Sequence, residues 1–248
     1  MKKILTAALL GLSLNSFADN APLWLRFSAI SPDGQTIAFS YKGDIFSVPV
    51  NGGTAKQLTT NSAYDAYPVW SPDGQKIAFA STREGSMDVY LMDKNGGVPK
   101  RLTTNSGNET PMAFTDNSHV LFTSAGMPTA KSIFFASGTF PQTYEVGIDA
   151  SRPRLYSPMT MYDVSIRSNG DILYHDAKGY EDNFRKHHRS PVTRDIWLYS
   201  KGNYTKLTDF NGEDRTPVWA GNDNAYYYLS EEDGTFNVYK RNIDGSGK

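Results

Sequence analysis

The sequence has 248 residues, with 25 Lys and Arg against 26 Asp and Glu, and its formal net charge is −1 at pH 7. Because the charge is balanced and no basic block occurs, a nucleic-acid-binding surface is not expected. The absence of cysteine excludes disulfides, thiolate metal sites, a cysteine nucleophile and a lipid-anchoring cysteine.

The first 18 residues have the pattern of a secretory signal peptide. Lys2-Lys3 precede an apolar stretch from Ile4 to Leu14 that is too short to span a bilayer, and Ser16-Phe17-Ala18 places small residues at a cleavage site. The alternative is an amphipathic helix that belongs to the fold. Cleavage after Ala18 would yield an exported, periplasmic protein. No later apolar run is long enough to form a membrane span.

The residues that follow introduce a repeat. Ser31-Pro32-Asp33-Gly34 and Ser71-Pro72-Asp73-Gly74 lie 40 residues apart, each between two short apolar runs. Proline presets φ, aspartate can bond its own backbone and glycine accepts a positive φ, so both tetrapeptides predict hairpin turns. Each unit continues to a Leu-Thr-Thr end, with Leu58 and Leu102 separated by 44 residues. The strands predicted in these two units span residues 26–30, 36–40, 44–48, 56–59, 67–70, 76–80, 88–92 and 100–103.

Three further units follow the same order. The third has a hairpin at Thr115-Asp116-Asn117-Ser118, the fourth has one at Ser168-Asn169-Gly170-Asp171, and the fifth stops after its third strand. The strands predicted in the third and fourth units span residues 111–114, 119–123, 143–148, 153–155, 162–167, 172–175, 195–199 and 206–208. Those identified in the fifth unit span residues 217–219 and 237–239.

Four-stranded units at this period predict an all-β fold, a β-propeller of four-stranded antiparallel blades. One such sheet cannot bury both of its faces, whereas radial stacking buries each face against a neighbouring blade. Trp70 and Trp219 are predicted to fill the wedges between blades, and very little helix is expected. The predicted domain covers residues 19–248, with blades at about 22–60, 61–104, 105–156 and 157–209 and an incomplete fifth blade at 210–248.

Two insertions, at about residues 124–142 and 176–193, are the best candidates for a functional site, because loops on a rigid scaffold usually carry function. The second is dense in charge, and we interpret it as a docking surface for another domain or a charged rim that grips peptide ends. The alternative is a long, solvated hairpin. Its candidate contact residues are Lys178, Glu181, Asp182, Arg185, Lys186, His187, His188 and Arg189.

No catalytic, cofactor or metal site is predicted. A Gly-x-Ser-x-Gly nucleophile elbow is absent, and His187-His188 lack the spaced ligands of a zinc site. Asp44, Asp88 and Asp195 recur at or just before the third strands of the first, second and fourth units, and this repetition indicates a structural role rather than a single active site.

Three stretches resemble one known family. They are Pro22-Leu23-Trp24-Leu25-Arg26, the block from Trp70 to Gly74, and the charged insert from Lys178 through Tyr199. Together they resemble the amino-terminal propeller of bacterial tricorn-protease-like serine peptidases, and the likeness runs from about Pro22 to Lys248. In that family a six-bladed propeller precedes a second propeller, a PDZ-type domain and a carboxy-terminal processing-peptidase domain that holds the catalytic residues.

The resemblance implies a non-catalytic propeller that gates peptide entry or exit, with proteolysis performed by a domain outside this chain. Five blades are recognised where the family has six, so the resemblance implies a truncated six-bladed ring. The implied partners are peptides or downstream peptidase domains of the same polypeptide, with homo-oligomers formed through the full-length protein. Two alternatives remain, a stand-alone interaction propeller of the cell envelope comparable to the Tol-system propeller, and the propeller of a prolyl-oligopeptidase-type enzyme.

Overall fold

The computed structural model describes residues 24–125, 140–179, 190–221 and 224–247. Every regular element in these ranges is a β-strand, and the strands form five antiparallel sheets. Across the same ranges, no helix has the length and apolar character needed to cross a membrane.

The first two blades are complete four-stranded sheets. Blade 1 consists of β1 (Arg26–Ile30), β2 (Thr36–Tyr41), β3 (Asp44–Pro49) and β4 (Lys56–Gln57). Blade 2 consists of β5 (Asp65–Trp70), β6 (Lys76–Glu84), β7 (Ser86–Asp93) and β8 (Lys100–Arg101).

The third and fourth blades also have four strands, and the fifth has three in the described part of the chain. Blade 3 consists of β9 (Glu109–Asp116), β10 (His119–Ser124), β11 (Gln142–Gly147) and β12 (Arg154–Ser157). Blade 4 consists of β13 (Tyr162–Ile166), β14 (Ile172–His175), β15 (Ile196–Ser200) and β16 (Asn203–Lys206). Blade 5 consists of β17 (Asp214–Trp219), β18 (Ala225–Ser230) and β19 (Asn237–Asn242).

The five sheets are arranged as a propeller. Within each blade the strands pair in chain order, so β1, β5, β9, β13 and β17 form the inner edges. These inner strands contact one another in succession, β1 with β5, β5 with β9, β9 with β13 and β13 with β17. The sequence-based prediction of antiparallel blades around a common axis, with an incomplete fifth blade, is therefore confirmed.

The two repeated hairpins have the same hydrogen bonds. Asp33 Oδ1 accepts from Ser31 Oγ at 2.6 Å and from the Gln35 amide at 3.0 Å, and the Ser31 hydroxyl accepts from the Thr36 amide at 2.9 Å. The second hairpin repeats all three distances. Gly34 has a φ of 69°, which explains why glycine occupies the fourth position.

The fourth strands are shorter than predicted in the first two blades, because a side chain replaces the backbone pairing at Leu-Thr. The strand β4 ends at Gln57, although the Leu58 amide still donates to Ile45 O at 2.8 Å. One residue later the Thr59 hydroxyl accepts from the Ile45 amide at 3.0 Å. The same exchange joins Thr103 to Val89 at 2.9 Å. Leu58 itself is buried in the core between blades.

Two tryptophans join successive blades, as predicted. Trp70 Nε1 donates to Ala29 O of blade 1 at 3.1 Å, and Trp219 Nε1 donates to Ser165 O of blade 4 at 3.0 Å. Trp219 is 8% exposed, whereas Trp70 is only partly buried. The indole groups therefore combine apolar burial with a hydrogen bond to the neighbouring inner strand.

The outer faces of the first and fifth blades are not covered in the described chain. Ile77 and Phe79 of blade 2 are fully buried against blade 1, but Ile30 on the corresponding face of blade 1 is 59% exposed. On the far side of blade 5, Val218 and Val238 are 50% and 69% exposed. The inner strands β17 and β1 are not among the strand pairs that pack extensively. The first and last blades thus each leave an apolar face open to solvent.

Candidate functional site: an axial channel

All five inner strands contain a bulge at which two residues oppose one on the next strand. In four blades the first bulge residue has a positive φ, 52° for Phe27, 57° for Tyr67, 48° for Asp163 and 54° for Thr216. Blade 3 has Pro111 at this position, and its ring holds φ negative. A left-handed conformation costs a non-glycine residue about 1–3 kcal/mol, so the surrounding ladders must hold these residues in place.

The bulges direct side chains toward the propeller axis, since a bulge changes where a strand points its residues. A cavity of about 420 Å³ lies between the inner strands of blades 1 to 4. Its lining includes the bulge residues Phe27, Tyr67 and Asp163, together with Met112 and Tyr162. Residues at the bulges of the inner strands therefore line a cavity at the propeller axis, which we call the axial channel.

The channel lining combines aromatic and polar side chains. The Phe27 and Tyr67 rings lie with centroids 3.9 Å apart, which gives blades 1 and 2 a continuous aromatic wall. In blade 4, Asp163 Oδ2 accepts a hydrogen bond from Thr216 Oγ1 of blade 5 at 2.7 Å. Such a lining can contact both the side chains and the polar backbone of an extended chain.

A buried histidine supports the polar groups Asp163 and Thr216. His175 Nδ1 accepts from the Thr216 amide at 3.3 Å and lies 3.6 Å from Asp163 Oδ2, and its ring stacks on Tyr162 with centroids 5.7 Å apart. Burial lowers the pKa of His175 to about 4, with a smaller opposing contribution from Asp163. At neutral pH this imidazole is therefore uncharged, and it positions Thr216 by accepting a hydrogen bond from the Thr216 amide.

The predicted docking insert is described only at its base. Lys178 Nζ donates to Thr193 O at 2.6 Å and pairs with Asp195, which also pairs with Lys206 at 2.9 Å. Lys178 thus ties the two ends of the insert together. The other seven predicted contact residues lie outside the described residues: Glu181, Asp182, Arg185, Lys186, His187, His188 and Arg189.

The recurrent aspartates have structural partners, in agreement with their predicted role. Asp44 Oδ1 accepts from the Thr59 hydroxyl at 3.0 Å, and Asp88 pairs with Arg101 at 2.8 Å. Asp195 is buried and holds the two lysines at the base of the insert. Within the described ranges, no group of three or more His, Asp or Glu side chains is placed to hold a metal ion.

Sequence reasoning missed the channel residues, although the repeat contains a signal for them. Each bulge residue lies three positions before the last residue of the repeated inner-strand block, at Ile30, Trp70, Phe114, Ile166 and Trp219. Aligning the units on that position groups Phe27, Tyr67, Pro111, Asp163 and Thr216. Their residue types differ, so no motif emerges until the register of the bulge is known.

Radially packed blades around an axial channel define the class of protein as a β-propeller. Residues 22–247 match the family described as the tricorn protease N-terminal beta propeller domain. The chain belongs to this family, and the sequence-based recognition is confirmed.

Two curated relatives have similar sequences. Tricorn protease homolog 1 of Streptomyces coelicolor is 29% identical over 230 residues, which cover 91% of this chain and 20% of that protein. A protein TolB homolog of Chlorobium luteolum is 32% identical over 90 residues, which cover 33% of this chain and 21% of that protein. Each matched segment spans about a fifth of the length of the relative concerned.

Many solved structures have a similar fold, among them a protease and a TolB protein. The crystal structure of the tricorn protease matches with a TM-score of 0.70 and 20% identity, over 90% of this chain and 22% of that one. The putative TolB from Agrobacterium tumefaciens matches with a TM-score of 0.69 and 16% identity, over 90% of this chain and 79% of that one. At these identities the likeness concerns the fold alone.

Proposed function

We propose that this chain is the non-catalytic propeller of an exported tricorn-like serine peptidase, and that its axial channel admits or releases peptides. The axial cavity is the observation that carries this proposal, because it lies between the inner strands and is lined by strained residues of three blades, Phe27, Tyr67 and Asp163. Membership of the tricorn propeller family supports the link to proteolysis. Bond cleavage would be performed by a peptidase domain outside this chain.

The channel lining suits an extended peptide in two respects. Aromatic and methionine side chains offer sequence-tolerant apolar contacts, and hydroxyl and carboxylate groups offer hydrogen-bond partners for a backbone. A cavity of about 420 Å³ would admit a few extended residues and exclude a folded domain. Selection of unfolded chains is the expected consequence for a peptidase placed behind such a channel.

Narrowing the channel should weaken peptide binding without unfolding the blade. Ser28 is exposed and lines the cavity, so Ser28→Trp would place an indole in the passage. We expect a roughly tenfold weaker affinity for a fluorescent unstructured decapeptide, measured by anisotropy.

The matched control is Ser28→Ala, which removes a hydroxyl and leaves the passage open. Its peptide affinity and melting temperature should match those of the unaltered chain. Equal peptide affinity for the Trp and Ala variants would exclude passage through the axis.

We also infer that residues 1–18 are a signal peptide removed after Ala18, which supports an exported, periplasmic location. The basic residues, the short apolar stretch and the small residues before the cleavage site support this inference. The mass of the mature protein recovered from the periplasm should then correspond to a chain that begins at Asp19.

The open blade faces support a sixth blade in the assembled propeller. The exposed Ile30 on one side and the exposed Val218 and Val238 on the other have the apolar character of faces that are buried between inner blades. A four-stranded sheet with two apolar faces, supplied by the full-length polypeptide, would cover both. Docking of downstream peptidase domains and homo-oligomer formation belong to the same proposal for the whole protein.

A second candidate is a stand-alone interaction propeller of the cell envelope. The 32% identity to a protein TolB homolog over 90 residues favours it. Purification of the chain from envelope extracts separates the two functions. A discrete protein partner with no peptidase domain on the same polypeptide would favour the interaction role.

A further inference from the structure

The axial cavity contains a single charged side chain among the described residues that line it. That side chain is Asp163, and the remaining lining is aromatic, aliphatic or neutral polar. Its carboxylate is half exposed, at 50%. The charge therefore faces the passage and is not buried within a blade.

The neighbouring basic groups do not neutralise this carboxylate. His175, at 3.6 Å, is uncharged at neutral pH because burial lowers its pKa, and its Nδ1 already accepts from the Thr216 amide. Arg194, whose charge also lowers the pKa of His175, is paired with Glu213. Arg215 stacks on Phe236, with 4.1 Å between the Arg215 Cζ and the ring centroid. Asp163 forms no ion pair with a lysine or arginine within the described residues.

The hydrogen bond at Asp163 leaves room for a ligand. Thr216 Oγ1 donates to Oδ2 at 2.7 Å, and Oδ1 has no hydrogen-bond partner in the described part of the chain. The aromatic wall of Phe27 and Tyr67 borders the same cavity. A carboxylate and aromatic faces in one cavity are the two groups that attract an ammonium or guanidinium ion.

We propose that Asp163 and the aromatic wall bind the cationic group of a peptide in the axial channel. The group is either an α-amino terminus or a lysine or arginine side chain, since both present the same charge and hydrogen-bond donors. This inference rests on the proposed passage of peptides and adds a preference for positive charge to it. The strained backbone at Asp163 holds the carboxylate in the axial cavity, on the path proposed for peptides.

The test compares four peptides that differ only in charge. An alanine tripeptide with both ends blocked is neutral, the same peptide with a free amine carries a cationic terminus, and blocked versions with a central lysine or glutamate carry one side-chain charge. Their affinities for the chain are measured by calorimetry at low and high salt. We expect one or both cationic peptides to bind about tenfold more tightly than the neutral one at low salt, and the glutamate peptide to bind least.

The decisive variant is Asp163→Asn, which retains an acceptor for Thr216 Oγ1 and tolerates a positive φ. It should bind all four peptides with affinities within about twofold of one another. The control is Asp93→Asn, which removes an equal charge from an exposed site paired with Lys76 at 3.4 Å. This control should retain the preference for cationic peptides.

The outcomes separate this inference from the proposed function. If the neutral and cationic peptides bind equally, or if Asp163→Asn keeps the preference, the cation site is wrong while peptide passage still stands. If no peptide binds, both proposals are wrong. A preference for the free amine over lysine, or the reverse, identifies which cationic group the site takes.

Discussion

Replacing Trp219 by alanine is expected to lower the free energy of unfolding by about 3–5 kcal/mol, the usual cost of removing a buried indole. The ring is 8% exposed and belongs to the cluster that joins blades 4 and 5, with Leu173 and Tyr226. The change also removes the hydrogen bond to Ser165 O and the stacking of Arg167, whose Cζ lies 4.1 Å from the ring centroid. Urea denaturation followed by circular dichroism measures the loss.

The adjacent residue provides a matched control. Val218 is on the same strand but on the opposite face, and it is 50% exposed. Val218→Ala should therefore change the stability of this chain by no more than roughly 0.5 kcal/mol. A loss as large as that of the tryptophan variant would mean that the far face of blade 5 is covered, and it would contradict the open-faced propeller described above.

Replacing Glu109 by glutamine is expected to stabilise the protein at pH 8 by up to about 3 kcal/mol. Glu109 is fully buried, and its carboxyl group lies close to Thr103 and Asp88. Burial raises the pKa of Glu109 to about 7, because the opposing interaction with the Thr103 hydroxyl is smaller and the charge of Asp88 adds to the increase. Glutamine keeps the shape of the side chain and cannot acquire the charge.

The pH dependence follows from the sign of this shift. The folded pKa lies above the ordinary value of 4.5, so the folded protein retains a proton that the unfolded chain releases. The stability associated with Glu109 is complete below pH 4.5 and is lost as the pH rises to about 7. The Gln variant should therefore equal the unaltered chain near pH 4 and exceed it at pH 8.

An exposed glutamate in the second blade serves as the control for this measurement. Glu84→Gln changes the same group at an exposed position and should leave the pH profile unchanged. If the stability difference between Glu109→Gln and the unaltered chain is the same at pH 4 and pH 8, the pKa of Glu109 is the same in the folded and unfolded states, and the assigned upward shift is wrong.

Much of the fold could be predicted from local chemistry. The Ser-Pro-Asp-Gly turns, the alternation around Ile77 and Phe79 and the wedge tryptophans each depend on residues close in sequence or on a repeated position. The family could be recognised for the same reason, since its repeats and insert appear directly in the sequence. The ends of the fourth strands were less predictable. The Leu-Thr pattern predicted that backbone pairing would continue, but the Thr59 hydroxyl accepts the hydrogen bond of the Ile45 amide in place of a backbone carbonyl.

The candidate site was not predictable in the same way. The sequence directed attention to the charged insert, because charge density and length are visible without knowledge of the fold. The channel depends instead on a bulge that recurs with different residues, from Phe27 to Thr216. These residues can be recognised as a group only when the fold brings the inner strands together at the axis. Lys178, the one described member of the predicted insert site, ties the base of the insert to Asp195.

Photo-cross-linking of a bound peptide tests the central claim most directly. An unstructured peptide carrying a benzophenone group would be irradiated with the purified chain, and the adducts would be mapped by mass spectrometry. Passage along the axis predicts adducts on Phe27, Tyr67 and Met112, which line the cavity. Adducts confined to the outer strands or to the insert at residues 176–193 would contradict the account.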